Sequence, residues 1–473
     1  VADVLLTHSN HLFSDPKQVR KMQPYAPLQT LLAAACLREA GCSVALFDPA
    51  LFDPALFGSA SEGPREGFER ALTEHRPRVV AVVEDNFNFL TKMCLTANRR
   101  LAFDFIEAAD VPVLVNGSDA TDHPGAYLAA GATAVLRGEV ETSLVEAVDA
   151  LLWGGDLSEV AGLHLGQGPT AARARIVDLD GLPDPAWDLA PLDRYREAWR
   201  ERHGRFSMHL VSSRGCPFRC NWCAKPIYGA AFETLSPRRV AEQTARLKFE
   251  FGAEHVWFAD DIFALRADWT WEFAREIERL DARLPFKMQS RCGLMTRDVA
   301  EDLARAGCEE VWMGAESGSQ QVLDAMDKDM AIEQIAAARE NLRRHGIRAG
   351  YFLQFGYPGE TWREIEQTVE MVRSTEPDDV GVSVSYPLPG TTFYDRVAEQ
   401  LNGTRNWRHS DDLAMMFRGA YSTEFYRVLR DAVHLEVETI NGRANGDAGK
   451  LPELWRRVRA LERTSAATAP TRI

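Results

Sequence analysis

"FSMHLVSSRGCPFRCNWCAKPIYG" (206–229) decides the reading of this chain. An apolar, strand-like run ends at Gly215. It is followed at once by Cys216-x3-Cys220-x2-Cys223. Gly215 frees a sharp turn and Pro217 holds the loop open. Clustered thiols in a reducing compartment point to metal or catalysis rather than disulfides. A structural zinc site takes four ligands in two pairs. No second pair is present, and Cys292 and Cys308 sit in separate elements. The alternative is an iron–sulfur cluster, which takes thiolates and can leave one iron free of protein ligands. Cys36, Cys42, Cys94 and Cys308 read as core thiols.

Outward from this loop the pattern repeats. Strand-like runs at 206–215, 254–261, 285–292, 309–316, 349–356 and 379–386 are each followed by a helical pattern. Six strand–helix units predict a partial parallel barrel, with chemistry at the carboxyl ends of the strands. Upstream, runs at 3–9, 43–48, 79–85, 111–117 and 133–139 alternate with helices such as 28–41. That alternation predicts an open, parallel, doubly wound α/β sheet. "ALFDPALFDPALFG" (45–58) is a short tandem repeat, read as a loop extension. The expected organisation is a Rossmann-like domain over 1–152, a Pro/Gly-punctuated linker over 153–203, a partial (β/α)6 barrel over 204–400 and a helical region over 401–473. Ser422 is the expected cap of one late helix, and "TSAATAPTRI" (464–473) the expected frayed tail.

The chain has 473 residues, 45% of them hydrophobic and 26% charged, with a formal net charge of −15. That balance excludes broad nucleic-acid binding. No apolar run reaches the ~18 residues of a membrane span. The first residues, "VADVLLTHSN", read as a strand and not as a signal peptide. The expected location is the cytoplasm, with no membrane partner.

The three-cysteine loop after the first strand of a barrel resembles the radical S-adenosylmethionine (SAM) superfamily. The resemblance implies a [4Fe–4S] cluster on Cys216, Cys220 and Cys223, with SAM on the open iron. Reductive cleavage of SAM would give a 5′-deoxyadenosyl radical. Other positions follow the family pattern. Trp222 matches an aromatic near the adenine. "FADD" places Asp260 or Asp261 at the position contacting the methionine amino group. Asp261 is also a candidate catalytic residue. "GAESGS" gives Glu316 and Ser317 as ribose-side groups. "FGYPGE" gives Gly356 and Tyr357 beside the adenine, with Glu360 a candidate helix cap. Tyr386, at the end of the sixth strand, is a candidate for facing substrate.

A doubly wound domain before such a barrel resembles the cobalamin-binding-domain branch. That branch's usual Asp-x-His-x-x-Gly signature is missing: "TDHPG" (121–125) has the wrong spacing, and His8 and His11 lack the context. The expectation is a domain without cobalamin. Cobalamin held without a protein ligand is the alternative left open. "EDNFNFLTKMCLT", "CNWCAKPIYG" and "VWFADDIF" resemble branch members that modify sugars or aminoglycosides. This implies a radical dehydration of a 1,2-diol on a paromamine-like cationic substrate, in antibiotic biosynthesis. The implied partners are a low-potential flavodoxin or ferredoxin and an NADPH-dependent reductase. Asp85, Asp119 and Glu139 are candidate acceptors for an ammonium-rich substrate. Two rivals stay open: a cobalamin-dependent radical SAM C-methyltransferase and a zinc-stabilised interaction module.

Overall fold

Runs of Val and Leu that are buried on both faces build the first sheet, as parallel strands covered by helices require. In this computed structural model, residues 1–52, 63–401, 403 and 406–468 are described. The chain packs as two units. One holds Val1–Cys216, Lys225–Asp260 and Asn406–Ser410; the other holds Pro217–Ala224, Asp261–Arg405 and Asp411–Ile473.

In the first unit the strands are β1 (Val4–Thr7), β2 (Val44–Leu46), β3 (Val79–Val83), β4 (Val113–Asn116), β5 (Ala134–Leu136), β6 (Leu163–Leu165) and β7 (Gly168–Pro169). Their order is β2-β1-β3-β4-β5-β6-β7. The first five pair in parallel, and β6 and β7 add antiparallel. Helices cover both faces. Leu37, Leu144 and Val148 pack on one side, and Phe68, Phe105 and Ile106 on the other. This is the doubly wound domain that the alternation predicts. The stretch expected as a linker contributes β6 and β7. Strands this short carry no readable period between Pro and Gly. The first tandem copy ends on Phe52; the rest of the repeat, from residue 53 on, lies outside the described residues.

The same unit carries β8 (Ser207–Leu210), β9 (Ser213–Arg214), β10 (Glu233–Thr234) and β11 (His255–Phe258). β8 and β11 are parallel, and β9 and β10 pair antiparallel. Gly215 follows with φ +77°, and a Cβ there would run into Ala231 O. No other residue fits that turn.

In the second unit β12 (Phe286–Ser290), β13 (Cys308–Glu316), β14 (Arg348–Phe355) and β15 (Asp379–Val384) form a parallel run in that order. Helices Arg297–Ala306, Glu333–Arg344 and Trp362–Thr375 lie between or after them. All six strand–helix repeats of the later region are therefore present, within an α/β fold with parallel sheets. Thr361 and Glu364 form a capping box on the helix Trp362–Thr375. Glu360, the candidate cap, is not the cap. Ser422 does cap Thr423–Ile440, accepting from Phe425 N at 3.2 Å. The last helix, Leu451–Thr468, runs on through the first half of the expected frayed tail. Among the described residues no helix is long and apolar enough to cross a membrane.

Candidate cysteine-loop site

Burial pushes the Cys36 and Cys292 thiols up to about 12, and Cys94 and Cys308 up as well. Cys94, Cys292 and Cys308 are buried, whereas Cys36 and Cys42 are only partly so. Cys216, Cys220 and Cys223 are half-exposed and lie outside any disulfide. The boundary between the two units falls inside the motif, after Cys216. Among the described residues no three His, Cys, Asp or Glu side chains already stand as a metal-holding group.

In the second unit the loop is held from several sides. Asn221 donates through Nδ2 to Ala325 O at 2.8 Å and Asp327 Oδ2 at 2.7 Å. Its backbone N–H bonds Met326 O at 3.0 Å, and its carbonyl accepts from Phe393 N at 3.0 Å. Tyr357 Oη bonds Asn221 Oδ1 at 2.9 Å and Ala325 O at 2.8 Å. Tyr357 also stacks on Phe393 at 5.3 Å. Tyr357 thus fastens the cysteine loop through Asn221.

Arg291, just past β12, donates to Cys220 Sγ at 3.6 Å and to Asp329 O at 3.0 Å. It also bonds Lys328 O. Its guanidinium lies 3.8 Å over the Phe218 ring. Lys328 Nζ is buried and donates to Glu316 Oε1 at 2.7 Å. Burial opposes the lysine's charge, but Glu316 and then Cys220 hold its pKa above the ordinary value. Glu316 sits at a bulge ending β13, with φ +60°. The Cys220 sulfur thus sits beside a guanidinium donor, an arrangement that fits a cluster ligand.

The other expected positions divide. Asp260, fully buried in the first unit, accepts from Ser212 N at 3.1 Å, Ser212 Oγ at 2.6 Å and Ser213 Oγ at 2.5 Å. Its carboxylate thereby ties down the strand end that leads into the loop. Asp261 is half-buried in the second unit. Neither caps the next helix, whose N-cap is Arg266. Ser317 Oγ pairs with Thr368 Oγ1 at 3.2 Å and accepts from Ser319 N at 3.1 Å. It organises a turn. Trp222 is half-buried, and its Nε1 donor has no hydrogen-bond partner, which fits a polar ligand. Tyr386 follows β15 and is half-buried.

Gly356 has φ +78°, and a Cβ there would press on Tyr426 and the Met415 Cε at 3.1–3.2 Å. Its N–H donates to Glu360 Oε2 at 2.6 Å. Burial raises Glu360 to about 8, and its Oε1 has no partner. The folded state therefore binds this proton more tightly than the unfolded chain. Stability conferred by the protonated form is full below the unfolded pKa and falls as pH rises towards 8. Glu360→Gln removes that dependence. Between pH 6 and 8 the wild type loses about 1.4 kcal/mol per pH unit relative to the variant. Urea unfolding of both proteins across this range measures it, and parallel curves refute it.

At the carboxyl ends of β1 to β5 the first unit buries a polar layer. His8 Nε2 meets Asp48 Oδ1 at 3.1 Å, and His8 Nδ1 accepts from Asn10 N at 3.2 Å. Both ring nitrogens are engaged. Arg99 grips Asp119 through two bonds of 2.5 Å, and Tyr127 donates to the same carboxylate at 2.8 Å. Glu139 accepts from Arg214 at 2.8 Å and from Ile176 N at 2.7 Å. Asp119 and Glu139 are therefore committed within the protein and are not open acceptors for an ammonium group. Asp85 Oδ1 accepts from Gln29 N at 3.2 Å. Asp85 Oδ2, Asn86 Oδ1, Thr91 Oγ1 and Asn98 Nδ2 are buried without hydrogen-bond partners. Asp85 Oδ2 faces His209 Nε2 at 3.7 Å, while the groups of Asn86, Thr91 and Asn98 fit an amide-bearing or otherwise polar ligand. Asn221, Arg291 and Lys328 carried no motif signal in the sequence; the x-Asn-Trp-Cys order of the loop was the only pointer to the first.

The fold and the three-cysteine loop define a class. Residues 210–372 match the Radical SAM superfamily model, so the chain carries a radical SAM domain. Among named proteins, it is 30% identical to the uncharacterized methyltransferase PH0819 of Pyrococcus horikoshii over 308 residues, 63% of this chain and 66% of that one. It is 27% identical to the hopanoid C-3 methylase of Methylococcus capsulatus, over 81% of this chain and 71% of that protein. The first match spans slightly less than two thirds of its relative. Among solved structures, the TsrM methyltransferase of Kitasatospora setae, with cobalamin and a [4Fe–4S] cluster, aligns at TM-score 0.67 and 18% identity, covering 84% of this chain and 75% of that one. The cobalamin-dependent radical enzyme OxsB aligns at 0.63 and 17%, covering 84% and 55%. At these identities the structural likenesses show the fold.

Proposed function

We propose that this chain is a radical SAM enzyme of the cobalamin-dependent C-methyltransferase type. The observation that carries it is a doubly wound domain and a three-cysteine radical SAM domain in one chain, the combination found with cobalamin in TsrM and OxsB. The names of both curated relatives support methyl transfer. This reading replaces the expectation of a domain without cobalamin.

When bound, the cluster and SAM supply a 5′-deoxyadenosyl radical, and cobalamin supplies the methyl group. The chain's own residues do the rest. Cys216, Cys220 and Cys223 hold the cluster as thiolates. Asn221 and Tyr357 fix the loop, as their bonds of 2.9 Å and less require. Trp222 Nε1 and the atoms of Asn86, Thr91 and Asn98 without hydrogen-bond partners offer hydrogen bonds to SAM and to corrin amides respectively. His8 would not be among the residues that hold cobalamin, because Asp48 and Asn10 engage both of its ring nitrogens. Asp261 and Tyr386 are the candidates for contact with substrate, and a low-potential flavodoxin or ferredoxin is the candidate electron donor.

The engaged His8 also supports a second reading: radical dehydration of a cationic diol such as paromamine, in the manner of apramycin biosynthesis, with an NADPH-dependent reductase as partner. Anaerobic reconstitution with iron and sulfide, with and without cobalamin, separates the two. Methyl transfer requires cobalamin, consumes two SAM and adds one CH2 to the product. Dehydration needs no cobalamin, and the product loses water. A colourless, zinc-loaded protein that leaves SAM intact would overturn both.

A further inference from the structure

Arg291 is 8% exposed, and a guanidinium is charged at any accessible pH. Burying such a charge costs several kcal/mol unless an anion compensates it. Among the described residues the structure gives it no carboxylate. Its polar partners are the carbonyls of Lys328 and Asp329 and the Cys220 sulfur. The neighbouring cation, Lys328, is already matched by Glu316 at 2.7 Å. The Phe218 ring, two residues before Cys220, holds the guanidinium in plane from below at 3.8 Å. The group left facing Arg291 is the Cys220 sulfur, which carries negative charge once it ligates an iron–sulfur group.

We infer that Arg291 is a positioning residue that holds Cys220 on a cluster and sets that cluster's reduction potential. The inference rests on the three-cysteine reading above. Reduction moves one electron from a low-potential donor to the cluster, adds one negative charge there and moves no proton. A buried cation bonded to a ligating sulfur stabilises the more negative state. Hydrogen bonds to the sulfurs and local charge are the terms that set such potentials. Arg291 therefore makes reduction easier.

The test is a mediator titration of the reconstituted, SAM-free protein under anaerobic conditions, read by electron paramagnetic resonance, with iron and sulfide content measured in parallel. Arg291→Gln keeps the hydrogen-bonding plane and removes the charge. The expected result is full iron content with a reduction equilibrium constant about tenfold smaller, a shift of about 59 mV to lower potential for one electron. Arg291→Lys keeps the charge without the fork and falls between the two. Should Arg291→Gln fail to fold, Arg291→Lys against wild type decides alone, a lower potential supporting the inference. Full iron with unchanged potential in the variant tested overturns it. Absence of any four-iron signal in the wild type overturns the cysteine reading itself, and the inference with it.

Discussion

Cys220→Ala protein will bind no four-iron cluster, and formation of 5′-deoxyadenosine from SAM will fall to the level of cluster-free protein. A [4Fe–4S] cluster with one open iron uses every thiolate of the triad, so removing one leaves too few ligands to hold it. The other five cysteines cannot substitute. Cys94, Cys292 and Cys308 are buried, and desolvation raises their pKa values and those of the partly exposed Cys36 and Cys42. Cys42→Ala is the matched control and keeps full iron. The checks are iron and sulfide content, visible absorption and liquid chromatography of the nucleoside product. Cleavage retained by Cys220→Ala would sink the assignment of this loop.

The second large effect concerns Lys328. Its ammonium and the Glu316 carboxylate are each 6% exposed and meet at 2.7 Å. Lys328→Met leaves the carboxylate buried without its partner. Breaking a buried pair from one side costs about 3–5 kcal/mol, since the remaining charge is uncompensated. Replacing both members, with Glu316→Gln added, removes that charge and recovers most of the loss. The coupling follows from a double-mutant cycle of urea unfolding on the cluster-free protein. A single variant as stable as the wild type would refute the stabilising pair. Gly314 reinforces the expectation, because a Cβ there would lie 2.6 Å from both Glu316 Oε1 and Lys328 Nζ. The backbone is pared down to let the pair form.

Legibility followed the physics of each signal. β1 to β5 were readable because buried parallel strands are mostly apolar, and the later strands, such as β12 (FKMQS), because each strand-like run is followed by a helical pattern. β6 and β7 were hidden by their shortness. The cysteine triad was readable because its spacing is local. The position of Asp260 was legible, but its bonds to Ser212 and Ser213 were not, since only the fold brings those groups to its oxygens. Asp119 and Glu139 looked like free acceptors until Arg99 and Arg214 were seen to hold them.

By itself, then, the sequence determined the order of strands and helices, the thiols that can ligate and the glycines that turns demand, because these rest on neighbours along the chain. Only the tertiary structure decided which charges are spent. Lys328 on Glu316 joins residues 12 positions apart, and Arg291 on Cys220 and Asn221 between Tyr357 and Ala325 join residues 71 or more apart. Such pairings arise from burial, which makes an uncompensated charge or donor costly and so favours a partner wherever the fold places one.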